Sequence, residues 1–284
     1  MEQLVSTEWL AAHLGEPDLR IVDATVDFDP VTGRARSGRS KWEEGHIPGS
    51  NHADLLAALS DPESPVPLTM PSAERFSAAM ERLGVGDGHR VVLYDGRQSM
   101  WAARVWWMLR AFGFDQAAVL DGGWTAWTQE NRSVSTEAPG HPPTTFTARL
   151  RPGLMVGKDR VRAAIDEETT CIVDALTWRE YTGEVASYGR AGHIPSAINI
   201  PAHKIVDPDT QRFLATEVLR EIFAEPLSAN SAITYCGGGV AASSDAFVLH
   251  LLGLDDVSVY DGSMFEWCAD LELPLMTGGQ PADA

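Results

Sequence analysis

Short apolar runs alternate with amphipathic stretches along the whole chain. Residues 19–23, 90–94 and 117–120 read as buried strands, whereas 6–14, 71–83 and 99–112 carry the spacing of helices. Ser6 or Thr7 caps the first helix and Gly15 closes it. A polar, arginine-rich loop is expected from Gly33 to Lys41, followed by Gly45-His46-Ile47-Pro48. Strands and helices in alternation predict an α/β fold, with a mainly parallel sheet covered on both faces.

The landmarks then recur. Cys171-Ile172-Val173-Asp174-Ala175 matches Arg20-Ile21-Val22-Asp23-Ala24 at an offset of 151, and Gly192-His193-Ile194-Pro195 matches Gly45-His46-Ile47-Pro48 at 147. Tyr235-Cys236-Gly237 falls on Tyr94-Asp95-Gly96 at 141, and Tyr260-Asp261-Gly262 on Leu120-Asp121-Gly122 at 140. Four landmarks in one order, with offsets drifting only through loop lengths, identify a tandem duplication. Domains are expected over 1–133 and 149–284. An extended linker over 134–148, with Pro139, Gly140, Pro142 and Pro143, joins them.

The duplication is an internal control on chemistry. At one strand end the repeats differ: Cys236 in the second stands where the first has Asp95. A carboxylate is no sulfur nucleophile, so the first repeat is expected to be catalytically silent. Residues 232–235 read as a strand, Gly237, Gly238 and Gly239 follow the cysteine, and helical spacing runs over 240–252. Cys236 would then face the unpaired N–H groups of a first helical turn, beyond the carboxyl end of a strand where α/β sheets hold ligands. The glycines let further N–H groups turn inward, and with Val240 and Ala241 they complete a loop suited to a negatively charged sulfur. On this segment alone, a small buried residue beside a glycine turn is the equal alternative.

His46 and His193 occur with and without the cysteine, so both are expected to form turns rather than act as general bases. Cys171 opens a buried strand and Cys268 follows Trp267 near the last helix, so packing is expected of both. Trp101, Trp106, Trp107 and Met108 read as packing too, and Asp166-Glu167-Glu168 as solvated surface.

With 22 basic and 40 acidic residues among 284, the formal charge is −18. Nucleic acid and anionic membranes demand basic patches and are disfavoured as partners. The first eight residues lack the basic start and apolar core of a signal peptide, and no run reaches the roughly 18 apolar residues of a membrane span, so a cytoplasmic protein is expected. Three distant cysteines suggest neither disulfides nor a zinc site.

Taken together, the duplicated aspartate strand ends, both Gly-His-Ile-Pro segments, the loop from Cys236 to Ala241, and Tyr260-Asp261-Gly262-Ser263 with Glu266-Trp267 resemble the two-domain rhodanese family of sulfurtransferases. The resemblance covers nearly the whole chain. It implies two rhodanese-like domains, the first inactive and the second carrying the catalytic cysteine, with no metal or organic cofactor. Within the family, thiosulfate enzymes have basic residues just after the cysteine and 3-mercaptopyruvate enzymes a neutral loop; Cys236-Gly237-Gly238-Gly239-Val240-Ala241-Ala242 is similar to the second. Three positions depart from it. Gly238 stands where a hydroxyl is proposed to assist catalysis, Ala241 replaces a threonine and Met264 a tryptophan.

The resemblance further implies that Arg179 binds the substrate carboxylate. Its usual partner arginine falls on Ala186, and Arg190 is the nearest substitute. The expected mechanism is a Cys236 persulfide relay from 3-mercaptopyruvate, or alternatively thiosulfate, to a thiol, cyanide or a reduced thioredoxin-like protein. Residues between Gly33 and Lys41 are expected to help close the cleft. A cysteine phosphatase would need an arginine where Ala242 stands, and a non-catalytic sulfur-carrying or partner-binding module is the remaining alternative.

Overall fold

The structure, a computed structural model, describes residues 1–29 and 34–279. It divides into two compact units: Met1–Ser64, Met70–Pro152 and Val206–Phe213 in one, Pro65–Thr69, Gly153–Ile205 and Leu214–Ala284 in the other.

The first unit runs β1 (Leu4–Val5), α1 (Thr7–His13), β2 (Leu19–Asp23), β3 (Val26–Asp29), β4 (Arg34–Ser37), α2 (Arg39–Glu44), β5 (Ser50–His52), α3 (Ala73–Arg82), β6 (Arg90–Tyr94), α4 (Met100–Ala111), β7 (Ala117–Leu120) and α5 (Gly123–Gln129). Five strands form a parallel sheet in the order β1-β7-β6-β2-β5. The expected loop over 33–41 is corrected: β4 and the start of α2 lie in it, and Gly33 is outside the described residues. β3 and β4 pair antiparallel with Asp27 opposite Arg36 and Asp29 opposite Arg34, so opposite charges face across the ribbon.

The second unit runs β8 (Met155–Val156), α6 (Lys158–Ala164), β9 (Thr170–Asp174), α7 (Trp178–Tyr181), β10 (Ile198–Asn199), α8 (Thr216–Ile222), α9 (Ala224–Ser228), β11 (Ser231–Tyr235), α10 (Val240–Leu251), β12 (Val257–Tyr260) and α11 (Ser263–Ala269). Its order, β10-β9-β11-β12-β8, is also parallel throughout and matches the first sheet strand for strand.

The repeated motifs do the same structural work twice. The N–H of Ile47 donates to the Tyr94 hydroxyl (3.3 Å), and that of Ile194 to the Tyr235 hydroxyl (3.1 Å). Asp23 and Asp174 accept from the N–H two residues on, at 2.7 and 2.8 Å. His46 Nδ1 bonds the Trp42 carbonyl and its ring stacks on Trp42; His193 Nδ1 bonds the Tyr181 carbonyl and stacks on Tyr181. Each histidine locks a turn, which explains its presence where no cysteine is. The tryptophans of α4 are buried, with the Trp106 indole donating to the Ala117 carbonyl.

The expected boundary shifts, because the segment 134–148 packs as part of the first unit. Phe146 is 3 % exposed, against Phe76 and Phe114. Thr147 N–H donates to Asp87 and Ala148 N–H to Ser77. Burying one such ring contributes about 2 kcal/mol, enough to hold an otherwise extended stretch against its unit. Two further segments depart from a simple division. Residues 65–69, between β5 and α3, belong to the second unit, and 206–213, between β10 and α8, to the first. Phe213 N–H donates to Asp121, and Gln98 N–H to Gln211.

Gly192 adopts φ +104°, and a Cβ there would lie 2.0 Å from the Met276 carbonyl oxygen. Gly192→Ala is therefore expected to lower stability by about 2 kcal/mol or more. Urea unfolding of the two proteins checks this; an unchanged midpoint would contradict it.

Candidate active site

β11 is hydrogen-bonded on both sides, by β9 and β12, so the chain leaves the middle of the sheet at Cys236. Gly239 then turns the backbone into α10 at φ +75°, a left-handed angle that glycine adopts without penalty. Gly237 is needed for a different reason: a Cβ there would stand 2.2 Å from Tyr188 Oη. At Gly238 a Cβ would meet the Pro67 carbonyl oxygen at 3.3 Å and Phe265 Cδ2 at 3.5 Å.

Cys236 is 3 % exposed. Burial pushes its thiol up, and the main-chain N–H groups of Ala242, Gly238, Ala241 and Gly239 pull it back down. Burial prevails, so the resting group is a thiol above its ordinary range rather than the standing thiolate that the loop alone suggests. The thiolate that does form is the stronger nucleophile for its higher pKa.

The loop is fixed from α11. Ser263, itself at φ +47°, accepts from the N–H groups of Cys236 (3.2 Å) and Gly239 (3.1 Å) and donates to the Tyr260 carbonyl. The N–H groups of Met264 and Phe265 donate to the carbonyls of Cys236 and Gly237, both at 3.0 Å. Ser243 closes the other side by donating to the Gly239 carbonyl.

The first repeat shows the same turn occupied by an anion-forming group. Asp95 Oδ1 accepts from the N–H groups of Arg97 (2.8 Å) and Ser99 (3.2 Å), and Oδ2 from those of Trp101 (2.9 Å) and Ala102 (3.0 Å). Burial nonetheless raises this carboxyl to about 7. The strand-to-helix turn is thus an amide cradle in both units.

Of the residues singled out in the sequence, Gly238, Gly239 and Ala241 contribute N–H groups to the cradle. Gly237 provides the close approach for Tyr188, and Val240 begins α10 with its side chain buried. The two arginines have partners outside the cysteine loop. Arg179, on α7, has a side chain 65 % exposed and is paired at 2.9 Å with the exposed Glu184, just beyond the helix. Arg190 donates to the carbonyls of Asp270 (3.0 Å) and Leu273 (2.9 Å), tying down the chain after α11. Cys171 is pushed up to about 12 by burial, and Cys268 lies 3.9 Å from the Arg190 carbonyl. Ala242, Ser263 and Tyr188 belong to the site and were not assigned to it from sequence. Only Ser263 had a signal, its place after the repeated Asp-Gly. A cavity of about 250 Å³, lined by Trp42, His52 and Arg82 among others, lies wholly in the first unit and includes none of the cysteine loop.

A profile described as a rhodanese-like domain matches residues 6–130 and again 158–270. The chain belongs to the rhodanese family. This rhodanese-family protein is 33% identical over 276 residues to the 3-mercaptopyruvate sulfurtransferase of Escherichia coli K12, covering 95% of this chain and 96% of that one. It is 33% identical to the mitochondrial thiosulfate/3-mercaptopyruvate sulfurtransferase 1 of Arabidopsis thaliana, covering 96% of this chain and 78% of the relative. The crystal structure of SseA from Escherichia coli, described by its rhodanese fold and 3-mercaptopyruvate chemistry, superposes with a TM-score of 0.82. That match is at 33% identity, over 93% of this chain and 99% of the other.

Two outcomes test this geometry. Because the thiol titrates above its ordinary range, the thiolate fraction grows with pH beyond about 8.5; alkylation of Cys236 by iodoacetamide, followed by mass spectrometry, should keep accelerating there. A plateau near neutrality would show that the cradle outweighs burial. Arg190→Ala should lower the unfolding free energy by about 1–3 kcal/mol through the carbonyls it abandons, and Arg179→Ala should leave the KM of a carboxylate donor within about threefold, as befits an exposed pair. A large KM change for Arg179→Ala would restore it to the site.

Proposed function

We propose that this protein is a sulfurtransferase that carries sulfur on Cys236, with 3-mercaptopyruvate as its donor. The supporting observation is the cradle: at the end of the central strand a lone sulfur sits among the main-chain N–H groups of Gly238, Ala241 and Ala242, which pull its pKa down, while the Gly239 N–H beside them is held by Ser263. The Cys236 thiolate attacks the donor sulfur. An S–S bond forms, the donor C–S bond breaks, and its electron pair leaves on the carbon of pyruvate enolate, which takes a proton from solvent. The product is a Cys236 persulfide whose outer sulfur passes to a thiol, cyanide or a reduced thioredoxin-like protein.

The first repeat supports the persulfide as the form the cradle suits. Asp95 offers four N–H groups two acceptor atoms, with two donors to each. A thiolate offers one acceptor atom and a persulfide two.

Among donors, the neutral loop after Cys236 and the likeness to the Escherichia coli enzyme favour 3-mercaptopyruvate. Thiosulfate is the second reading, carried by the joint name of the Arabidopsis relative; attack on its outer sulfur would release sulfite and leave the same persulfide. Among the described residues no helix is long and apolar enough to cross a membrane.

Cys236→Ser should abolish sulfur transfer to cyanide and the mass increment of one sulfur atom after exposure to donor. Retained transfer would end this mechanism. A higher kcat/KM for 3-mercaptopyruvate than for thiosulfate supports the donor; the reverse ranking makes the protein a thiosulfate enzyme, and persulfide formation without turnover makes it a carrier.

A further inference from the structure

The cysteine loop has glycine at 238 and therefore no side-chain hydroxyl of its own there, yet a hydroxyl stands beside it. Tyr188 reaches over the loop from the segment between α7 and Gly192. A Cβ on Gly237 would lie 2.2 Å from its Oη, 2.5 Å from Cζ and 2.6 Å from Cε1, so the phenol end of the side chain rests directly on that glycine. The Tyr188 ring meets Phe265 edge-on, with centroids 4.9 Å apart at 81°. Phe265 borders Gly238 and is anchored through its N–H on the Gly237 carbonyl at 3.0 Å. The two rings thus bracket the glycines next to the nucleophile, and the half-buried Tyr188 has no hydrogen-bond partner among the described residues.

We propose that the Tyr188 hydroxyl donates a hydrogen bond to the sulfur being transferred on Cys236, supplying the hydroxyl that position 238 lacks. The inference rests on the Cys236 persulfide reading above. As the S–S bond forms and the donor's bond to that sulfur breaks, charge settles on the outer sulfur of the persulfide. The O–H of Tyr188 is placed to meet it and keeps its own proton throughout. Burial, followed by the neighbouring Cys236, raises the phenol far above its ordinary range, which keeps it a donor and excludes it as a base. A neutral donor fixed before the reaction stabilises charge that develops during it without reorganising.

The test is Tyr188→Phe, which preserves the ring against Gly237 and Phe265 and removes only the oxygen. A lost hydrogen bond to a charged group predicts a fall in kcat of about tenfold to a hundredfold with both 3-mercaptopyruvate and thiosulfate, and KM within about twofold. Returning a hydroxyl through Gly238→Ser in the Tyr188→Phe protein should recover most of the lost rate. Gly238 is not at a positive φ, and its neighbours need yield only a few tenths of an ångström. A Tyr188→Phe rate within about twofold of wild type overturns the proposal, since a bond worth the usual amount cannot vanish unnoticed. A loss that Gly238→Ser does not restore also overturns it. If the unaltered protein moves no sulfur, the Cys236 reading and this inference fall together; if it does and Tyr188→Phe equals it, this inference alone falls.

Discussion

A central parallel strand that ends in a ring of inward-turned main-chain N–H groups is the constraint around which each unit is built. The ring costs the chain a left-handed residue at the helix start and leaves several donors without helical partners, so something must accept them. Each unit answers with the first side chain after the strand: the Asp95 carboxyl in one, the Cys236 sulfur in the other. Everything else near the turn serves to hold the ring shut around that side chain. In the second unit this is done by Ser263, which takes two loop N–H groups, and by the N–H groups of Met264 and Phe265, which engage two loop carbonyls.

The charge state inside the ring follows from two opposed effects of similar size. Removing a carboxylate from water costs several kcal/mol even after relaxation, while each hydrogen bond to a charged group returns about 1.5–3 kcal/mol. Four such bonds nearly offset the burial of Asp95, which is why its carboxyl sits near 7 rather than far above. Cys236 meets the same two effects, with burial ahead of the main-chain N–H groups. A site so poised responds to small changes in its occupant, such as the arrival of a second sulfur atom.

Much of this was legible in the sequence, and the exceptions have physical causes. The strands over 19–23, 90–94 and 117–120 match β2, β6 and β7 residue for residue, because a sheet buried on both faces makes its strands mostly apolar, with Arg20, Asp23 and Arg90 the charged exceptions. Helix starts differ by a residue or two where the N-cap, such as Ser72, stands outside the helix it opens. The repeat located Cys236 because a duplicated ring makes its changed occupant conspicuous. The segment 134–148 reads as an extended linker because proline and glycine describe local backbone, whereas its docking depends on Phe146 meeting rings far away in the chain. The partners of the arginines were not legible because position in a motif does not give side-chain direction: Glu184, five residues on, pairs with Arg179 at the surface. Tyr188 carried no signal at all. It touches Gly237 across 49 positions, and the glycine records only that something comes close.

The contrast between the repeats also explains why duplication need not give two active centres. Asp95 fills its ring completely, two oxygens each taking two donors, so the ring is satisfied for as long as the fold persists and has no capacity for another atom. Replacing the carboxylate by a thiolate withdraws one acceptor atom while the N–H groups remain fixed by the sheet, the glycines and α11. In the proposed persulfide the sulfur gains a second sulfur atom and the side chain again presents two acceptors. The same backbone therefore holds an aspartate in one unit and, in the proposed function, a sulfur-carrying cysteine in the other, and the difference lies in the number of acceptor atoms on one side chain rather than in any rearrangement of the fold.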